Sequence, residues 1–160
     1  MLDLACGNGR HAHLLAGLGL AVAAVDRDFE AILKLQGVPG IIATQLDLEG
    51  EDWPLAGQTF DGIVVTNYLW RPRLPDLLAM LAPGGVLIYE TLMVGNEAYG
   101  KPSNPDFLLR SQELRAVAAA AGRAAASSTQ ARHQASIRPA PACRPVRRAR
   151  VTACSPCRRR

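Results

Sequence analysis

Cysteine is nearly missing from most of this 160-residue chain: Cys6 is the only one before Cys143. A disulfide-stapled secreted scaffold is therefore excluded, and a cytoplasmic location is the expectation. Long apolar runs are missing too. The longest candidate, Leu14 to Val25, is interrupted by Gly17 and Gly19 and falls short of the roughly 20 residues that a membrane-spanning helix needs. It is preceded by Asp3 and a glycine-rich loop where the cationic start of a signal peptide would stand. Acidic residues disappear after position 113. All fourteen lie before that point, whereas eleven of the eighteen basic residues lie after it, so the pI of 9.2 belongs to the C-terminal segment. The remainder of the chain is acidic, and nothing about it suggests a basic, nucleic-acid-binding fold. Aromatics are scarce at 5% while hydrophobic residues reach 49%, a balance that suits strands of Ala, Val, Leu and Ile buried on both faces of a parallel sheet.

The length allows one compact domain, and the hydrophobic pattern alternates strand with helix. Leu2 to Ala5 reads as a short buried strand entering a glycine-rich turn, followed by a helix from Arg10 to Leu18 that Gly19 stops. Ala21 to Val25 is a second strand ending at Asp26. Asp28 caps a helix whose apolar face is Phe29, Ile32 and Leu33. Ile41 to Leu46 runs into Asp47, and Phe60 to Thr66 is a β-branched run ending at Asn67. Leu74, Leu77, Leu78 and Leu81 form a helical stripe closed by Pro83-Gly84-Gly85, Val86 to Leu92 is a fifth strand, and Ser111 is placed to cap a helix carrying Leu114, Val117, Ala118 and Ala121. This alternation implies right-handed crossovers and an α/β, Rossmann-like, doubly wound and mostly parallel sheet with helices on both faces. Its ligand belongs at the carboxyl ends of the strands.

Gly7 and Gly9 stand between the first strand and first helix, where missing side chains admit a ligand to the backbone and free N–H groups point at it. Gly7-x-Gly9-x-x-Ala12, with Asp26 downstream, also satisfies the dinucleotide fingerprint. Three acids argue otherwise. Asp3, Asp26 and Asp47 lie at or near the carboxyl ends of neighbouring strands and should converge on one rim, where a pyrophosphate meets unfavourable charge and a cationic ligand does not.

Leu2-Asp3-Leu4-Ala5-Cys6-Gly7-Asn8-Gly9-Arg10 resembles motif I of the class I S-adenosylmethionine (SAM)-dependent methyltransferases, with Ala5 where that family usually has Gly. Ala24-Val25-Asp26 resembles its second motif and Leu46-Asp47-Leu48 its adenine-binding loop. Phe60 to Asn67 is similar to its fourth strand, and Leu81-Ala82-Pro83-Gly84-Gly85-Val86-Leu87 to the turn into its fifth. The resemblance implies SAM as cofactor, with Asp26 on the ribose hydroxyls, Asp47 on the adenine amine, Leu48 beside the ring, and Asp3 orienting the loop or the methionine amine. Ala5, Cys6, Gly7, Gly9, Arg27 and Asn67 complete the expected cofactor contacts. Because the family sheet has seven strands and five are visible here, two C-terminal strands are expected to be missing, and so is the helix that usually precedes the first strand. Residues 1–122 form the expected SAM-binding domain.

Methyl transfer from a sulfonium is a displacement with a good leaving group, so positioning and exclusion of water suffice and no catalytic triad is required. Asn67, Tyr68 and Glu90 are the candidates facing the acceptor, with Tyr99 and Asn104 as further pocket residues. The expected acceptor is a small molecule. No specific nucleic-acid partner, membrane partner or metal is expected. His11 and His13, two residues apart on a helix, point to different faces. Cys154-x-x-Cys157 with Cys143 and His133 matches no common zinc spacing. Residues 123–160, with ten Arg, four Pro and no hydrophobic period, read as a tail in which no strand is placed. Such a composition is what GC-rich DNA gives when read out of frame. Two other readings stay open: a Rossmann NAD(P)-binding oxidoreductase, and an inactive SAM-binding fragment.

Overall fold

A computed structural model describes residues 1–132 and 147–154, with side chains described through residue 123. Five parallel strands form its centre: β1 (Leu2–Leu4), β2 (Val22–Asp26), β3 (Ile41–Gln45), β4 (Phe60–Thr66) and β5 (Leu81–Leu92). The spatial order β3-β2-β1-β4-β5 reverses direction between β1 and β4. That gap is the topological switch point at which α/β sheets bind ligands.

Helices α1 (Arg10–Gly17) and α2 (Phe29–Leu33) make the β1-to-β2 and β2-to-β3 crossovers, and α3 (Leu74–Ala79) makes the β4-to-β5 crossover. The period-4 stripe anticipated through Leu81 ends sooner, because Leu81 pairs with Phe60 in the sheet instead of extending α3. Gly85 explains how the chain enters β5: a Cβ there would lie 2.9 Å from the Ala82 carbonyl and 3.1 Å from those of Phe60 and Asp61. Helix α4 (Glu113–Ala120) begins with the Glu113 carboxylate accepting from the Arg110 N–H at 2.8 Å, so the first-turn contact comes from Glu113 and not from Ser111.

Two apolar clusters flank the sheet. Ala12, Val22, Ala24, Leu35 and Ile41 pack α1 and α2 against β2 and β3. The larger cluster joins Leu2, Leu4, Ile63, Val65, Leu87 and Tyr89 of the sheet to Leu74, Leu77, Leu78, Leu114 and Ala118 of α3 and α4. Both faces of the central strands are therefore covered, as their near-continuous apolar sequences require.

One expectation is corrected. The two strands thought missing are present as β6 (Ala124–Arg132) and β7 (Arg147–Cys154), with β7 antiparallel to both β5 and β6, giving a seven-stranded sheet. A segment of Ala, Ser, Thr and Arg offers no hydrophobic alternation, so its sequence hides the strands. Backbone pairing needs none, and the open edge of β5 supplies the ladder. Of the suspected zinc ligands, His133, Cys143 and Cys157 lie outside the described residues. Among the described residues, no helix is long and apolar enough to cross a membrane.

Candidate cofactor and acceptor cleft

The β1–α1 loop owes its path to three residues with left-handed backbone: Ala5 (φ 54°), Gly7 (φ 52°) and Gly9 (φ 71°). Cys6 donates its N–H to the Val25 carbonyl at 3.0 Å and Gly9 donates to Cys6 at 2.9 Å, which folds the loop over the end of β1. At Gly9 the missing side chain serves packing, since a Cβ would collide with Leu35. At Gly7 it leaves room, for a Cβ there would meet nothing within 4 Å. Ala5 is the one residue of the three for which this backbone is strained, at about 1 kcal/mol.

Carboxylates hold the loops in place. Asp26 at the end of β2 accepts from the Gly7 N–H at 2.7 Å through one oxygen and from the Asp28 N–H at 2.9 Å through the other. Each oxygen keeps a lone pair toward the cleft. Asp47, just past β3, accepts from the Glu49 N–H at 2.9 Å. Asp3 lies 1% exposed inside β1 and accepts the Ala12 N–H at 2.8 Å, fixing the first turn of α1. Its other oxygen, Oδ1, is buried with no hydrogen-bond partner, and burial pushes its carboxyl up to about 6. Burial, together with Asp3 and Asp26, pushes the Cys6 thiol up to about 12, so it stays protonated and is no competing nucleophile.

These loops enclose a cleft of about 510 Å³ at the carboxyl ends of β1 to β4. Of the residues expected from sequence, Ala5, Cys6, Gly7, Asp26, Arg27, Asp47, Leu48, Asn67 and Tyr68 line it. Asp3 sits beneath the loop and Gly9 behind it, and neither is part of the lining. Glu90 is also outside it: its carbonyl accepts the Asn67 N–H at 2.9 Å, so it shapes the turn after β4. Asn67 has a left-handed backbone (φ 55°), and the Tyr89 hydroxyl donates to the Tyr68 carbonyl at 2.7 Å, pinning that turn. The Tyr68 hydroxyl itself is buried without a partner. Tyr99 and Asn104 do not line the cleft either; Asn104 caps the turn at Asp106. Asn8, Arg10, His11, Leu46, Glu49 and Thr66 also line it and were not anticipated, although Arg10 and His11 follow the glycine loop directly and their position was a usable signal. His13 is exposed on another face of α1.

The arrangement suits a cationic adenosyl cofactor. Asp26, Asp47 and Glu49 face the cleft and Asp3 lies below it with an unpaired oxygen, an environment that a pyrophosphate would raise in energy and an ammonium would lower. Gly7 leaves the cradle open, so the residues present fit SAM.

A family described as "methyltransferase domain" matches residues 1–85. The chain belongs to that family. The cofactor is of the S-adenosylmethionine type, and the NAD(P) reading is set aside. The tRNA U34 carboxymethyltransferase of Methylococcus capsulatus is 32% identical over 108 residues, which is 61% of this chain and 33% of that protein. That of Azotobacter vinelandii is 35% identical over 107 residues, 61% of this chain and 34% of that protein. The chain thus spans about a third of the length of these curated relatives. A SAM-dependent methyltransferase from Methanosarcina mazei shares the fold, with a TM-score of 0.69 at 14% identity over 98% of this chain and 92% of that one. The relatives' names specify a tRNA, against the small-molecule acceptor and the absence of a nucleic-acid partner expected above, and that expectation is withdrawn.

Proposed function

We propose that this methyltransferase domain alkylates a uridine of tRNA from a SAM-type sulfonium donor, in the cytoplasm. Asp26, Asp47 and Leu48 would hold the ribose and adenine, and Asp3, through the glycine loop, the ammonium. The convergence of Asp26, Asp47 and Glu49 on one cleft is the observation that carries the donor reading, because their charge favours a sulfonium and an ammonium over a pyrophosphate. The curated relatives' shared name supports the acceptor.

Bound in the cleft, the donor supplies an electrophilic carbon whose leaving group is a neutral thioether. The protein's part is to fix geometry and exclude water. Asn67 and Tyr68, held in place by the Glu90 carbonyl and by Tyr89, form the wall beside the β1–β4 switch point where an acceptor base would enter. Incubation with deproteinised bulk tRNA and either SAM or its analogue carrying carboxymethyl in place of methyl, followed by nucleoside mass spectrometry, tests the reading. A heavier uridine with one of the two donors is the expected result. Unchanged nucleosides with both would refute the acceptor.

A further inference from the structure

We propose that His11 is the catalytic residue that takes up the acceptor's proton; the cofactor's placement and the acceptor's identity rest on the proposed function above. The sheet order locates the reacting centre. With Asp47 after β3 reading adenine, Asp26 after β2 reading ribose and the glycine loop after β1 reading the amino-acid end, the cofactor runs along β3-β2-β1. Its transferable group then faces the next strand end, that of β4. His11 reaches across this gap from the first turn of α1, with Nδ1 3.5 Å from the Thr66 hydroxyl at the end of β4.

The contact of its second ring nitrogen favours one tautomer. The Arg10 guanidinium lies 3.4 Å from Nε2 and can only donate, which favours a lone pair on Nε2 and the proton on Nδ1, toward Thr66. Arg10 is exposed, so an incoming substrate can displace it. Among the described residues lining the cleft, no other group takes the same role. The Tyr68 phenol is buried and pushed above its ordinary range, chiefly by burial and then by Glu49 and Asp47, so it holds its proton. Cys6 is held as a thiol. Asn67 has no basic atom, and Asp26, Asp47 and Glu49 stand on the β2 and β3 side of the cleft.

In the step assigned to it, the sulfur–carbon bond breaks with its electron pair left on sulfur, the acceptor–carbon bond forms, and the acceptor's proton passes to Nε2. Atoms and charge balance, since the sulfonium's positive charge ends on the imidazolium.

Three measurements on the full chain test this. Nitrogen-15 spectra of the protein alone should show His11 protonated at Nδ1 and bare at Nε2, and the opposite tautomer overturns the proposal whatever the acceptor is. His11→Ala should slow single-turnover transfer to bulk tRNA about a hundredfold or more, and added imidazole should restore part of the rate to His11→Gly. Calorimetric affinity for S-adenosylhomocysteine should stay within about twofold of the unaltered protein. A parallel fall in that affinity would make His11 a cofactor ligand and sink the proposal, as would an unaltered transfer rate. If the unaltered protein transfers nothing to tRNA, it is the acceptor reading that fails, and the tautomer still decides for or against His11.

Discussion

The two sides of the cleft are held by different physics. On the β1–β2–β3 side, bonds from carboxylates to backbone N–H groups fix each loop: Asp26 to Gly7 and Asp28, Asp47 to Glu49, Asp3 to Ala12. On the β4–β5 side, one long-range ion pair fastens the loops. Arg71, after β4, gives its Nε to Glu113 of α4 at 2.5 Å and a second nitrogen to the same carboxylate at 3.0 Å, while also donating to the carbonyls of Asp106 and Leu108. The β1–β2–β3 side is thus held by carboxylates on loop backbone and leaves the buried Asp3 Oδ1 without a partner. The β4–β5 side is assembled from residues about forty positions apart in the chain, and it leaves the buried Tyr68 hydroxyl without a partner.

Breaking the first side should be felt in binding. Asp26→Ala removes a carboxylate that lines the cleft and releases the Gly7 and Asp28 N–H groups, so affinity for S-adenosylhomocysteine should fall about a hundredfold, or about 3 kcal/mol, by calorimetry. A fall of less than about fivefold would remove Asp26 from the site.

Breaking the second should be felt in stability. Arg71→Met leaves the partly buried Glu113 carboxylate unpaired and should cost about 2 kcal/mol in denaturant unfolding, with cofactor affinity unchanged. The Glu113 pKa is lowered in the fold, through the Arg71 and Arg110 bonds acting against burial. Its contribution is therefore present above the ordinary carboxylate range and is lost as pH falls through the depressed folded value. Glu113→Gln should flatten that acid-side loss, and an equally steep loss would place the acid sensitivity elsewhere.

Asp3 gives a smaller effect of opposite sign. Its folded pKa of about 6 lies above the ordinary 3.8, so the protonated carboxyl stabilises the fold at low pH and this stabilisation is lost as pH rises through about 6. Asp3→Asn should thus be more stable than the unaltered protein at pH 7, by about 1 kcal/mol, while binding the cofactor more weakly. Lower stability together with unchanged binding would mean that the carboxylate is structural only.

The smallest expected effect is that of Ala5→Gly. Relief of the left-handed backbone exceeds the added chain entropy by about 0.5 kcal/mol, read as a small rise in melting temperature. A lower melting temperature would show that the Ala5 methyl is worth more as packing than its backbone strain costs.

The same contrast explains what could be read from sequence. Asp26 and Asp47 could be placed at the cleft because each stands at the end of an apolar strand. The Ala5 backbone strain was foreshadowed only by the Gly that the family usually carries there. Arg71–Glu113 has no local signature, and neither does the contact between His11 and Thr66, since each depends on crossovers bringing distant residues together. Glu90 was misplaced for a related reason: a carboxyl on the last turns of a strand reads like a site residue, yet it is the carbonyl of Glu90 that shapes the site. Strands β6 and β7 escaped notice because sheet pairing at an edge asks nothing of side-chain periodicity.

The central claim is that the cleft is built for a cationic adenosyl cofactor and not for a pyrophosphate. Calorimetric titration of the chain with SAM and, separately, with NAD tests it most directly. Saturable binding of SAM at one site, without binding of NAD, is the predicted result; NAD binding with no SAM binding would contradict it.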